Sequence, residues 1–283
     1  MKSVVITGAS TGIGRATAEY LAERGWQVFA GVRSAAAAET LKGLSPRIDP
    51  IILDVTQADH IGAAVDHVSQ ALAGETLTGL VNNAGVAVMG PLALQPVETF
   101  SSHFDVNVIG LLRATQGFLP LLGMDRFRSG PPGRIINITS VGGRLASPFL
   151  GAYTATKHAV ESMTDSLRRE LVIYGIDAIA VGPGAVQTPI WDKAEEANQD
   201  EAYSETAWAD GLKAFSESML DSGRRGLPAD RIAHIVATAL TTPRPKARYA
   251  PVPDKLTNFT LPLLLPKRVV DRVFGKRLGL VRK

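Results

Sequence analysis

The feature that most constrains this chain is its N-terminal run of about two dozen residues. Val4-Val5-Ile6-Thr7 is short, apolar and β-branched, and reads as a buried strand. Gly8-Ala9-Ser10-Thr11-Gly12-Ile13-Gly14 follows at once, and residues 15–24 continue as a helix closed by Gly25. Strand, glycine turn, helix is the context in which a glycine pattern becomes a phosphate site. Glycine lets the backbone turn sharply and approach a ligand closely, and the helix start supplies free N–H groups and a positive dipole end. The spacing is Gly-x-x-x-Gly-x-Gly, not the Gly-x-Gly-x-x-Gly of other dinucleotide folds. Taken alone, it leaves a ligand-free glycine turn as the alternative.

The pattern of strand and helix then repeats. Residues 27–31 read as a second strand, ending in Gly31-Val32-Arg33-Ser34. An acid at this point would bond an adenosine 2′-hydroxyl. None is present, and Arg33 with Ser34 is a candidate holder of a 2′-phosphate, because guanidinium and phosphate match in fork geometry. A solvated loop arginine is the competing reading. Ile51-Ile52-Leu53 reads as a third strand closed by Asp54-Val55, with Asp54 either meeting an adenine or capping the helix expected over 57–73. Gly79-Leu80-Val81 is a fourth strand running into Asn82-Asn83-Ala84-Gly85, small residues suited to a crevice. Residues 96–122 read as one or two helices containing Asn107 among Val106, Val108, Ile109, Leu111 and Leu112. That amide needs partners, and a buried amide bonded to nearby backbone is the plain structural reading. Residues 134–139 form a fifth strand with Ser140 at its C-terminal edge.

Tyr153-Thr154-Ala155-Thr156-Lys157 comes next. Four residues apart on a helix, Tyr153 and Lys157 project together. Val160, Met163, Leu167 and Leu171 supply an apolar stripe, Gly175 a cap, and residues 176–181 a sixth strand. A fixed cation beside a phenol favours phenolate, so Tyr153 is a candidate proton donor or acceptor. Gly182-Pro183-Gly184-Ala185-Val186-Gln187-Thr188-Pro189 follows the sixth strand.

These motifs, in this order, resemble the short-chain dehydrogenase/reductase family, NADP-preferring type. The resemblance covers about residues 4–189 and, more loosely, extends to about 252. It rests on residues 7–14, on Asn82-Asn83-Ala84-Gly85, on Ser140 thirteen positions before Tyr153, on Lys157, and on Pro183-Gly184 with Thr188. It implies an α/β Rossmann-type fold, a doubly wound seven-stranded parallel sheet with helices on both faces. It implies Tyr153 as acid/base, Lys157 binding the nicotinamide ribose and depressing the Tyr153 pKa, Ser140 bonding the substrate oxygen, and Asn107 holding a water in a proton relay. It implies NADP(H) as cofactor, with NAD(H) less favoured, held by Gly8, Ser10, Thr11, Gly12, Ile13, Gly14, Arg33, Ser34, Asp54, Val55, Asn83, Ala84, Gly85, Tyr153, Lys157, Pro183, Gly184, Val186 and Thr188.

Composition narrows the rest. The chain has 283 residues, 45% hydrophobic and 20% charged, which suits a packed globular core. A net charge of +3 is too weak to argue for nucleic acid, and the five histidines lack metal-ligand spacing. There is no cysteine, which fits a reducing, cytoplasmic setting. No run approaches the ~20 apolar residues of a membrane span, and no signal peptide is visible. The expectation is one dinucleotide-binding and catalytic domain over 1–283. Residues 190–226, with Trp191, Tyr203, Trp208, Phe215 and Met219, are read as a substrate lid. Residues 253–283 form an extension with Leu261-Pro262-Leu263-Leu264-Leu265 and a basic end, expected to pack on the domain, close the pocket or join subunits, with contact to a membrane surface ranked last. The expected activity is interconversion of a secondary alcohol and a ketone or aldehyde on a bulky steroid-, retinoid- or lipid-like small molecule, by a dimer or tetramer. The alternatives are a 3-oxoacyl thioester or sugar reductase, or a non-catalytic NADP-binding sensor.

Overall fold

The structure, a computed structural model, describes residues 1–188 and 201–281. Trp191 and the rest of 189–200, and the two terminal residues, lie outside them.

The N-terminal half alternates strands β1 (Ser3–Ile6), β2 (Gln27–Val32), β3 (Ile48–Ile52) and β4 (Gly79–Asn82) with helices α1 (Gly12–Glu23), α2 (Ala35–Lys42) and α3 (Ala58–Leu72). After β4 come α4 (Val97–Phe104), a π turn over Asp105–Gly110, α5 (Leu111–Phe118), β5 (Arg134–Ile138), α6 (Gly151–Glu170) and β6 (Asp177–Val181). The remainder holds β7 (Val186–Gln187), α7 (Ala209–Arg224), β8 (Leu227–Pro228), α8 (Ala229–Thr241), β9 (Arg248–Tyr249) and α9 (Lys267–Arg277). Seven strands form one parallel sheet in the order β3-β2-β1-β4-β5-β6-β9.

Both faces of this sheet are covered, which is why its strands are apolar without alternation. Val4 and Ile6 face one layer, where they pack with Leu21 of α1 and with Ile232 and Val236 of α8. Val5 points the other way, as period two requires, into a layer with Val68 of α3, Phe118 of α5 and Leu171 after α6. The order runs outward from β1 in one direction and from β4 in the other. The loops after these two strands therefore diverge and leave a crevice at the C-terminal edge.

Four local differences from the sequence reading have physical causes. β3 begins at Ile48 and includes Pro50, which an edge strand tolerates because an outward position needs no N–H partner. The 96–122 segment is interrupted by the π turn, which carries Asn107. On α6 the expected apolar stripe is only partly buried: Val160 and Leu171 are inside, while Met163 and Leu167 are half-buried. The buried face instead carries Thr154, Thr156, Lys157, Glu161 and Thr164. The seventh strand of the expected sheet is only Arg248–Tyr249.

The C-terminal extension is split between inside and outside. Phe259 and Leu278 are buried, and Phe274 and Leu280 pack on the same cluster as Leu278, together with Phe149 and with Leu212 and Phe215 of α7. The parallel pair β7–β8 pins the two ends of the 188–226 excursion together. No helix among the described residues is long and apolar enough to cross a membrane.

Candidate active site

The crevice is a cleft of about 760 Å³ that runs from the glycine turn to Tyr153. Its N-terminal wall is set by backbone. Gly8 has φ +66°, and a Cβ there would come within 2.8 Å of the Ala84 Cα, so only glycine lets the first and fourth strand ends approach this closely. Asn83 ties the same two loops: its Nδ2 donates to the carbonyls of Thr7 and Gly8 at 3.0 and 2.9 Å. Thr7 Oγ1 accepts from the Asn83 and Ala84 N–H groups, both at 3.0 Å.

Of the candidate residues, Gly8, Ser10, Thr11, Gly12, Ile13, Arg33, Ser34, Asp54, Val55, Asn83, Ala84, Gly85, Ser140, Tyr153, Lys157, Pro183, Gly184, Val186 and Thr188 all line the cleft. Gly14 and Asn107 do not. Gly14 is in the packing layer behind, where a Cβ would meet the Gly8 carbonyl at 2.4 Å. Ser34 Oγ caps α2 by accepting from the Ala37 N–H at 3.3 Å. Asp54 does not cap α3, whose N-cap is Gln57 and takes no side-chain cap bond. It lines the cleft and accepts from Thr56 N–H at 2.9 Å and Thr56 Oγ1 at 2.7 Å ahead of α3. Burial pushes its carboxyl up, but those bonds and the charges of Arg33 and His60 outweigh it and hold the pKa below the usual value.

At the other end, Lys157 is buried, and its Nζ donates to the Ile138 carbonyl at 2.9 Å and lies 5.6 Å from the Tyr153 ring centre. Burial pushes its pKa down to about 8, against the opposing pull of Glu161. The Tyr153 phenol is pushed above its ordinary value by burial, opposed by a hydrogen bond from the Ser140 side chain. The depression expected from Lys157 is therefore not present in the protein alone, because desolvation of the phenol dominates. Ser140 Oγ accepts from the Gly142 N–H at 3.0 Å, which fixes its rotamer toward the cleft.

Asn107 makes three hydrogen bonds: Oδ1 accepts from the Val86 N–H at 2.8 Å, and Nδ2 donates to the Val86 carbonyl and to Thr156 Oγ1, both at 3.0 Å. It clamps the 85–86 strand exit beside Lys157. A water relay through it would have to use the second lone pair of Oδ1.

Two residues that sequence reasoning passed over complete the site from behind. Glu161, one turn beyond Lys157, accepts from Thr139 Oγ1 at 2.6 Å and from Arg248 Nε at 3.0 Å to each oxygen. Arg248 also donates to the Ser140 carbonyl at 3.3 Å. The i, i+4, i+8 series Tyr153, Lys157, Glu161 was a legible signal for Glu161; its partner, 87 residues away, carried none. Among the described residues there is no cluster of His, Asp or Glu able to hold a metal ion.

A parallel doubly wound sheet, a glycine cradle at a helix start and a Ser–Tyr–Lys group lining the cleft define a dinucleotide-binding oxidoreductase. The comparisons make this specific. The family model described as short chain dehydrogenase matches residues 2–199. An NADPH-dependent 3-dehydrocapnine reductase from Ornithobacterium rhinotracheale is 34% identical over 279 residues, covering 98% of both chains. Retinol dehydrogenase 7 of Rattus norvegicus is 36% identical, covering 88% of this chain and 80% of its own. Among solved structures, a short-chain dehydrogenase/reductase from Burkholderia phymatum in complex with NAD aligns with a TM-score of 0.75 at 28% identity over 92% of each chain. The chain belongs to the short-chain dehydrogenase family, and the protein is an oxidoreductase.

Proposed function

We propose that the protein interconverts an alcohol and the corresponding ketone or aldehyde on a bulky apolar small molecule, with NADP(H) preferred over NAD(H). One observation carries the substrate reading. The Tyr153 ring packs against an apolar cluster of Met89, Phe149, Leu150, Leu212, Phe215 and Leu278, assembled from four separate stretches of chain. A reacting oxygen held by Tyr153 and Ser140 would thus have apolar surface beside it. The names of the relatives, a 3-dehydrocapnine reductase and a retinol dehydrogenase, favour the same class.

The residues present fit a dinucleotide. The Gly8 cradle leaves room for a pyrophosphate against the start of α1, and exposed Arg33 stands at one end of the cleft with Lys157 at the other. When bound, the dinucleotide supplies or takes up the hydride. The chain's own residues do the rest. Arg33 and Ser34 would hold a 2′-phosphate, and Lys157, a cation below about pH 8, would direct its remaining N–H donors to ribose hydroxyls. Ser140 and Tyr153 donate hydrogen bonds to the substrate oxygen, and Tyr153 gives or receives its proton. Asn107 positions the 85–86 backbone. The raised phenol pKa keeps Tyr153 protonated in the free protein, the form needed to donate. We assign residues 190–226 as the substrate cover of a single catalytic domain over 1–283, and a cytoplasmic homodimer or homotetramer as the working form.

The test is NADPH oxidation against ketones and aldehydes graded by size and polarity. Turnover rising with apolar bulk is expected; turnover confined to sugars or small polar carbonyls would refute the substrate class.

A further inference from the structure

The tail has an outer face that the domain leaves uncovered. Phe259 is buried, its ring 5.1 Å from the Arg248 guanidinium, and anchors the segment. Around that anchor the leucines turn outward: Leu256 and Leu264 are 72% and 77% exposed, and Leu261, Leu263 and Leu265 are exposed as well. α9 follows directly. Its Val270 and Phe274 face a groove of about 490 Å³ shared with Leu92, Phe149 and Trp208. Lys267, Arg268, Arg272, Lys276 and Arg277 are all exposed on this helix, and its one acid, Asp271, lines the groove and pairs with Arg268 at 3.7 Å.

Charge decides what covers this face. Residues 253–283 contain eight Lys or Arg and two Asp or Glu, while the whole chain is only +3, so the rest of the protein is net negative. A second copy paired across a two-fold axis would set this cationic face on itself. Nucleic acid would match the charge and leave the leucines in water. An anionic bilayer satisfies both features, with leucines entering the interface and basic side chains meeting headgroups.

We propose that the segment 256–277 is a docking surface for anionic lipid membranes, with Leu261, Leu263 and Leu264 inserting and the basic face of α9 binding headgroups. The docking claim stands on the tail alone. Its use, delivering apolar substrate along the groove beside α9, rests on the apolar-substrate reading.

The experiment is flotation of the full chain with vesicles of phosphatidylcholine alone and of phosphatidylcholine mixed with phosphatidylglycerol. Wild type floats with the anionic vesicles at low salt and not with the neutral ones. Arg268→Glu/Arg272→Glu/Lys276→Glu lowers partitioning by about tenfold or more, as expected from loss of several near-surface charges. Leu261→Ser/Leu264→Ser lowers it at all salt concentrations. NADPH binding, unchanged in both variants, verifies that they are folded. Absence of flotation at low salt overturns the proposal. So does flotation lost only in the charge variant and matched by equal capture on duplex DNA, which assigns the face to nucleic acid. A molecular mass by light scattering that falls in the leucine variant, with no vesicle binding in wild type, assigns it to a second copy. None of these outcomes depends on turnover, so the substrate class is tested separately.

Discussion

Glu161→Gln perturbs the active site from a residue that does not itself line the cleft. Glu161 is buried one turn from Lys157 and is the charge that opposes the effect of burial on that lysine. For two charges one helical turn apart, about 6 Å, an effective dielectric of about 20 gives roughly 3 kcal/mol. Arg248, with Nε 3.0 Å from the same carboxylate, cancels part of that field. Taking about half leaves roughly 1.4 kcal/mol, or one decade in the lysine's proton affinity. Lys157 is charged below about pH 8 in wild type. In the variant its titration should fall about one pH unit lower. The assay is NADPH affinity by nicotinamide fluorescence across that range. Wild-type affinity should be constant below about pH 8, where Lys157 is charged, and weaken above it; the variant should weaken about one pH unit earlier. Arg248→Gln supplies the sign test, since removing the competing cation moves the break to higher pH. The stability consequence has its own sign. The unfolded lysine titrates near 10.5 and the folded one near 8, so the penalty for burying the charge is complete below about pH 8 and is relieved as pH rises toward 10.5. Unchanged breaks in both variants, or shifts in the same direction, would refute the electrostatic role and leave Glu161 a structural anchor.

Other predictions concern cofactor and cover. Val32→Asp/Arg33→Ala should swing kcat/KM toward NADH by roughly one to two decades, the value of a charge-assisted bond to a 2′-phosphate; an unchanged ratio would remove Arg33 from that site. Phe215→Leu, which trims the cluster beside Tyr153, should raise KM for apolar carbonyls and leave NADPH affinity intact; equal losses in both would mean α7 is not part of the substrate cover.

The sheet was legible because parallel strands buried on both faces are predominantly apolar, as Val4–Ile6 and Ile135-Ile136 are. The glycine turn was legible because the approach of Gly8 to Ala84 leaves no room for a side chain. The rest was hidden where distant residues answer one another. The demand of Glu161 for a partner is visible on α6, but Arg248 lies in a two-residue strand with no pattern of its own. The π turn that carries Asn107 arises where the backbone bulges around bonds to Val86 and Thr156, neither of which is local in sequence. Pro50 conceals the start of β3 because only the edge position makes it tolerable. For the tail, the leucine run announced burial, yet one aromatic, Phe259, goes inside while the leucines stay out.

The central claim is that Tyr153 moves the proton while the cofactor site stands independently of it. The direct measurement is Tyr153→Phe, assayed for NADPH affinity and for kcat on the best carbonyl substrate. Ring packing against Phe149 and Leu150 is preserved by phenylalanine, and Ser140 and Lys157 keep their own bonds to Gly142 and Ile138. NADPH affinity within about twofold of wild type, with kcat lowered by about 10²–10⁴, is the predicted result. A variant with near-normal kcat would contradict the account.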